Sequence, residues 1–143
     1  ILRDAARLVR PGGTIAFLDT SFQSFIDACQ DLPLWREASR VLTEVFWRNG
    51  ADTEMGRHLS AAFVGAGLPE PETETYTLTG SEPWMSDALL SLRPQIEALG
   101  IPFQHLGDLG TLQERLMAEV RARGQEVPLP QMVGAWARVP PRR

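Results

Sequence analysis

The carboxylate best placed for chemistry in this 143-residue sequence is Asp19, which closes the run Thr14-Ile15-Ala16-Phe17-Leu18. A short, almost wholly apolar run suits a strand covered on both faces, and Asp19 stands where that strand emerges into solvent. In open α/β sheets ligands bind at that emergence point. A carboxylate there can orient a substrate hydroxyl or amine, accept its proton, or satisfy the amides of its own loop. Phe22 and Phe25 follow in Thr20-Ser21-Phe22-Gln23-Ser24-Phe25, a stretch of loop composition. They either line a pocket or fold back as a hydrophobic cover over the sheet edge. His58 and His105 are separated by long helical segments, and Cys29 has no His or Cys at ligand spacing. Neither a metal site nor a Cys-His dyad is therefore expected. Ser21 and Ser24 lack the G-x-S-x-G setting of a hydrolase nucleophile.

The elements that position these residues follow from periodicity. Leu2, Ala5, Ala6 and Val9 recur at helical spacing, Pro11 stops the helix, and Gly12 and Gly13 permit a tight reversal into the strand near 14–19. Leu34, Trp35, Ala38, Val41, Leu42, Val45 and Phe46 form the stripe of an amphipathic helix running to about Trp47. The loop 48–53 breaks the chain, with Asp52 or Thr53 placed to cap a helix that carries Met55, Leu59, Ala62, Phe63 and Ala66. That helix closes at Gly65 or Gly67. The alternating, Thr-rich stretch 72–78 reads as a partly exposed edge strand whose glutamates discourage edge-to-edge pairing.

About fifty residues separate that strand from the last one near 131–138, far more than a hairpin needs. The insertion opens with Ser81 as a cap and Pro83 in the first turn of a helix through Met85, Ala88, Leu89 and Leu92, which Pro94 should kink or end. Thr111 and Glu114 have the spacing of a capping box for a further helix through Leu112, Leu116, Met117 and Val120, finishing at Gly124. Trp136, between Ala135 and Ala137, reads as packing against a helix.

Residues 2–19, with their helix, Pro-Gly-Gly turn and strand, resemble the segment entering the fifth strand of class I S-adenosylmethionine-dependent methyltransferases. Gly56-Arg57-His58-Leu59 through Phe63 and Ala66-Gly67-Leu68 are similar to the next helix of that family and its "AGL" turn, and Val133 to Arg138 to its last, antiparallel strand. The matches occur in family order and touch both ends of the chain. The resemblance implies an α/β fold: the C-terminal half of a Rossmann-like sheet of three strands, the last lying antiparallel between the other two, with helical insertions near 20–50 and 81–127. It implies S-adenosylmethionine as cofactor and a small molecule as methyl acceptor.

The family's glycine-rich cofactor loop and ribose-binding acid have no counterpart here. Gly12-Gly13 has no preceding strand, and no G-x-G-x-x-G pattern occurs. The chain is therefore expected to be the C-terminal half of a longer protein, supplying the substrate-side wall and a lid but no cofactor-binding residue. Within that resemblance Arg48 and Asp52 would project into the cleft, and Trp84 and Met85, at the mouth of the second insertion, are candidates for apolar substrate contacts. The same two side chains at helical spacing also suit a core.

Composition bounds the remaining classes. At 43% hydrophobic the chain can bury a core, and no apolar run approaches the roughly 20 residues that span a bilayer. A single cysteine cannot form an internal disulfide, and with no signal peptide expected the setting is expected to be reducing and cytoplasmic. A formal charge of −4 argues against a general nucleic-acid surface. Two other functions stay open: a non-catalytic methyltransferase-like module that needs a partner, and half of another Rossmann-type enzyme such as an oxidoreductase. With its first strand at the edge, the chain is also expected to self-associate through residues 14–18.

Overall fold

The computed structural model describes residues 1–77 and 84–141. Among these lie six α-helices and three β-strands: α1 (Leu2–Leu8), β1 (Thr14–Ser21), α2 (Gln23–Ala28), α3 (Pro33–Arg48), α4 (Met55–Gly65), β2 (Glu72–Thr77), α5 (Trp84–Ala98), α6 (Leu112–Arg123) and β3 (Gln131–Arg138). Two 3₁₀ turns, Gln104–Leu106 and Leu109–Thr111, precede α6. The expected cap Ser81, Pro83 and the strand end Leu78 lie outside the described residues. The chain divides into two compact units. Segments Ile1–Phe22, Glu54–Leu78 and Pro130–Arg143 make a sheet unit, and Gln23–Thr53 with Thr79–Leu129 makes a helical unit. The two insertions read separately from the sequence thus fold together.

In the sheet unit the strand order is β1-β3-β2, with β3 antiparallel to both neighbours, as the sequence led us to expect. Alternation decides what each face meets. Ile15, Ala135 and Ala137 point to one side and pack with Leu59 and Phe63 of α4 and with Leu68, while Leu2, Ala5, Ala6 and Val9 close over the same cluster. Phe17 meets Phe63 edge to face at 6.3 Å between ring centroids. The Pro-Gly-Gly turn is pinned to the end of β3. Gly12 N–H donates to the Val139 carbonyl and Val139 N–H donates to that of Gly13, each at 2.8 Å, with Gly12 at φ 76°.

The other face corrects two sequence readings. Thr14, Ala16 and Leu18 are exposed, so β1 is packed on one face and not on both. Trp136 also lies on this second face, in register with Ala16 and Glu72, and its neighbours Ala135 and Ala137 are the residues that meet the helices. An uninterrupted apolar run carries no information about which of its faces is covered.

The helical unit is built on α3, which buries Trp35, Ala38, Val41, Leu42 and Val45. Met85, Leu89 and Ile96 of α5 and Leu112, Leu116 and Val120 of α6 add to that core. Leu32, at the N-cap of α3, offers no side-chain cap. The Glu119 carboxylate on α6 replaces it, accepting from Leu34 N–H at 2.9 Å and Trp35 N–H at 3.1 Å. These are amides that a helix leaves without internal partners, and a negative charge suits that end of its dipole. Trp35 Nε1–H in turn donates to the Leu116 carbonyl at 3.1 Å, tying the two helices a second time.

Three local expectations are also revised. The stretch read as loop after Ser21 contains α2, whose Phe25 is buried; a six-residue helix depends on such an anchor more than on propensity. Of the kink or end expected at Pro94, the end does not occur: helix α5 runs through it. Proline removes the partner of the Leu90 carbonyl four residues earlier, and Leu90 is 43% exposed, so that carbonyl sits on a wetted side of the helix. Thr111 is the N-cap of α6 but makes no side-chain cap bond, so the capping box does not form. Asp108 acts one turn earlier, accepting from Gly110 N–H at 2.9 Å.

Two outcomes are expected. Replacing Glu119 by Ala should destabilise the chain by about 1–2 kcal/mol in denaturant unfolding, because two α3 amides lose their acceptor. Cys29 is fully buried, and burial, reinforced by the Glu119 charge, pushes its thiol from 9.0 up to about 12. The folded chain keeps this thiol protonated while the unfolded chain ionises it. Its contribution to stability is complete below pH 9.0 and is lost as pH rises toward about 12. The unfolding midpoint should fall over that range, less steeply in Cys29→Ala than in the parent chain.

Candidate functional site

The carboxyl end of β1 carries Asp19, Thr20 and Ser21. Its geometry is set by the first turn of α4. Glu54, the N-cap residue of that helix, accepts from Ser21 Oγ at 2.5 Å and from the Phe22 backbone N–H at 2.8 Å. Ser21 is only 3% exposed, so the charge-assisted bond to Glu54 satisfies a buried hydroxyl. Arg57 lies 3.9 Å from the same carboxylate.

Gly56 allows this close approach. A Cβ at that position would stand 3.0 Å from the Thr20 carbonyl carbon and oxygen and 3.1 Å from the Asp19 carbonyl oxygen. Backbone gives way less readily than a flexible side chain, so glycine here lets α4 press on the strand end without displacing it.

Asp19 lies just inside this fixed end. Its Oδ1 accepts from the Thr20 N–H at 2.8 Å, and Oδ2 has no hydrogen-bond partner among the described residues. The carboxylate is thus held by one oxygen, and the other is left to accept from a hydroxyl or amine. Orientation of an acceptor O–H or N–H, or removal of its proton, are the reactions this arrangement can perform.

The other candidates are placed differently. Phe22 is 7% exposed and directly follows the clamped strand end. Arg48 is in the helical unit, where it donates to Glu44 Oε1 at 2.6 Å and to the Leu99 carbonyl at 2.8 Å; both of these bonds stay within that unit. Met85 is completely buried there and belongs to the core. Trp84 is half-buried, its ring 5.2 Å from Phe25 and 6.2 Å from Trp35 between centroids, and its Nε1–H donates to the Pro128 carbonyl at 3.3 Å. Asp19 and Phe22 therefore belong to one unit, and Arg48, Trp84 and Met85 to the other. Among the described residues no group of three or more His, Cys, Asp or Glu is placed to hold a metal ion.

Sequence reasoning passed over Glu54. Periodicity pointed to Asp52 or Thr53 as the helix cap, and no spacing rule links Glu54 to Ser21, 33 residues away. The available signal was an acidic residue directly ahead of Met55-Gly56, at the start of the helix that packs on this strand. Protein-family models contain no match to the chain, and no curated protein matches it significantly.

Gly56→Ala is expected to destabilise the chain by about 1–3 kcal/mol, because the added methyl must displace backbone at the end of β1. Glu54→Ala should cost a similar ~1–3 kcal/mol and speed hydrogen exchange at the Phe22 amide, since a buried hydroxyl and an amide both lose their acceptor. Exchange measured residue by residue by NMR distinguishes this local release from global unfolding. An unchanged Phe22 amide would contradict the clamp.

Proposed function

We propose that this chain is the substrate-side half of a class I S-adenosylmethionine-dependent methyltransferase, its sheet the C-terminal part of a Rossmann-like methyltransferase sheet. The observation that carries the reading is the strand order. A Pro-Gly-Gly turn leads into β1, a helix closing in Ala-Gly-Leu leads to β2, and β3 inserts between them in the antiparallel sense. These are the features the sequence resemblance named together. The antiparallel strand also weighs against one of the two alternatives, half of another Rossmann-type oxidoreductase, for which an all-parallel sheet is the expectation. It does not bear on the other, a non-catalytic methyltransferase-like module that needs a partner.

On this reading the acceptor is a small molecule, and Asp19 meets its hydroxyl or amine. Methyl transfer asks a protein mainly for alignment, exclusion of water and, for weakly acidic acceptors, a base. The clamp of Glu54 on Ser21 and Phe22 supports alignment by fixing the strand end from which Asp19 projects. The residues present do not suit the cofactor: Gly12 and Gly13 lie at the amino end of β1, opposite the carboxyl end where ligands of such sheets sit. Cofactor binding is accordingly assigned to sequence outside these 143 residues.

Binding of radiolabelled S-adenosylmethionine tests the reading in two preparations, the natural gene product and the 143-residue chain. The gene product should bind, and the chain alone should bind at least about 100-fold more weakly. Absence of binding to the gene product overturns the methyltransferase reading. Equal binding by the chain overturns the division of labour.

A further inference from the structure

The chain passes between its two units at four places: after Phe22, before Glu54, after Leu78 and before Pro130. Within the sheet unit the ends left by these crossings are tied in pairs. Glu54, where the chain returns from the first helical segment, accepts from Ser21 Oγ and Phe22 N–H, where it departs. Thr77 of β2 stands opposite Gln131 of β3, so the second helical segment also leaves and returns beside register partners. Gln131 stands opposite Ser21 in turn. Ser21, Gln131 and Thr77 thus form one rung across the three strands, with Glu54 bonded to its β1 end.

Each unit also carries a core of its own. The cluster around Ile15, Leu59, Phe63 and Ala135 is made of sheet-unit residues. Leu42, Met85, Ile96 and Leu116 are at most 1% exposed and belong to the helical unit. Bonds distant in sequence tie that unit together: Arg40 donates to the Pro102 carbonyl and Arg48 to that of Leu99, each at 2.8 Å, and Glu119 accepts from Leu34 N–H at 2.9 Å. Its roughly 80 residues fall in the size range of a domain with a single core.

We infer that the helical unit is a separate folding domain inserted into the sheet unit along this rung, and that it opens without loosening the sheet. Opening turns its two segments into loops, yet the ends of those loops stay held by bonds of the sheet unit. Loop-closure entropy grows only slowly with length, so long loops at these ends burden the sheet little more than short ones. Asp19 lies two residues before Ser21 on β1, so the backbone that positions its carboxylate is the same in both states. The fold thereby joins a movable domain to a fixed strand end.

Hydrogen exchange of the 143-residue chain, followed by NMR in rising sub-denaturing urea, tests this. The amides of Val41 and Val45 on α3 and Leu116 on α6 should converge on one opening. Those of Ala135 and Ala137 on β3, together with Phe22, should converge on a second with a different urea slope, because slope follows the surface exposed and each opening exposes one unit. Leu42→Ala should speed exchange in the first group at least about tenfold and leave the second within about twofold; Leu59→Ala should do the reverse. A single opening shared by all these amides overturns the separate domain, and the parent chain alone decides it if a variant does not fold. Equal acceleration of both groups by either variant overturns it as well, and Phe22 exchanging with the α3 amides overturns the rung as the point of attachment. Failure to bind labelled S-adenosylmethionine touches only the methyltransferase reading.

Discussion

The sheet unit depends on one pairing: the last strand of the chain must enter between two strands laid down long before it. Without β3, β1 and β2 have no common neighbour, because among the described residues each pairs only with it. The contact closes a loop of more than a hundred residues between Ser21 and Gln131. Loop-closure entropy grows only slowly with length, so this is a modest burden on stability and a larger one on folding rate. The pairing is also what completes the core, since Ala135 and Ala137 arrive on β3 to meet Ile15, Leu59 and Phe63. Their small side chains let α4 lie close to the sheet.

The long connections tolerated by that pairing became a unit of their own. Segments 23–53 and 79–129 each contain amphipathic helices that bury apolar faces against one another. Glu119 shows how specific this assembly is. A carboxylate on α6 satisfies the amides that open α3, 85 residues away in sequence. It takes the place of a local cap, and it does so beside a buried thiol whose ionisation it further discourages.

At the carboxyl end of β1 the same economy of parts appears. Glu54 binds two strand-end groups, Gly56 lets the helix touch strand backbone, and Asp19 is left with one engaged oxygen. Fixed backbone around a carboxylate that retains accepting capacity is what an orienting group or a base requires. The reading of this chain as the acceptor side of a methyltransferase rests on that end together with the strand order.

Much of the architecture is written in the sequence. Helical spacing located α1, α3, α4 and α6, the Pro-Gly-Gly turn and apolar run located β1, and the resemblance at three separated motifs ordered the strands. The helical spacing, the turn and the apolar run are local patterns, and local patterns determine element type. Tertiary structure alone decided the rest: that β1 is covered on one face, that Trp136 faces away from α1 and α4, that Met85 is core, that α2 forms around buried Phe25, and that Glu54 and Glu119 act as clamps. Each of these depends on which distant residue arrives at a given surface. A sequence pattern describes the surface an element offers, whereas the partner that covers it, or accepts its hydrogen bonds, is chosen only when the chain closes on itself.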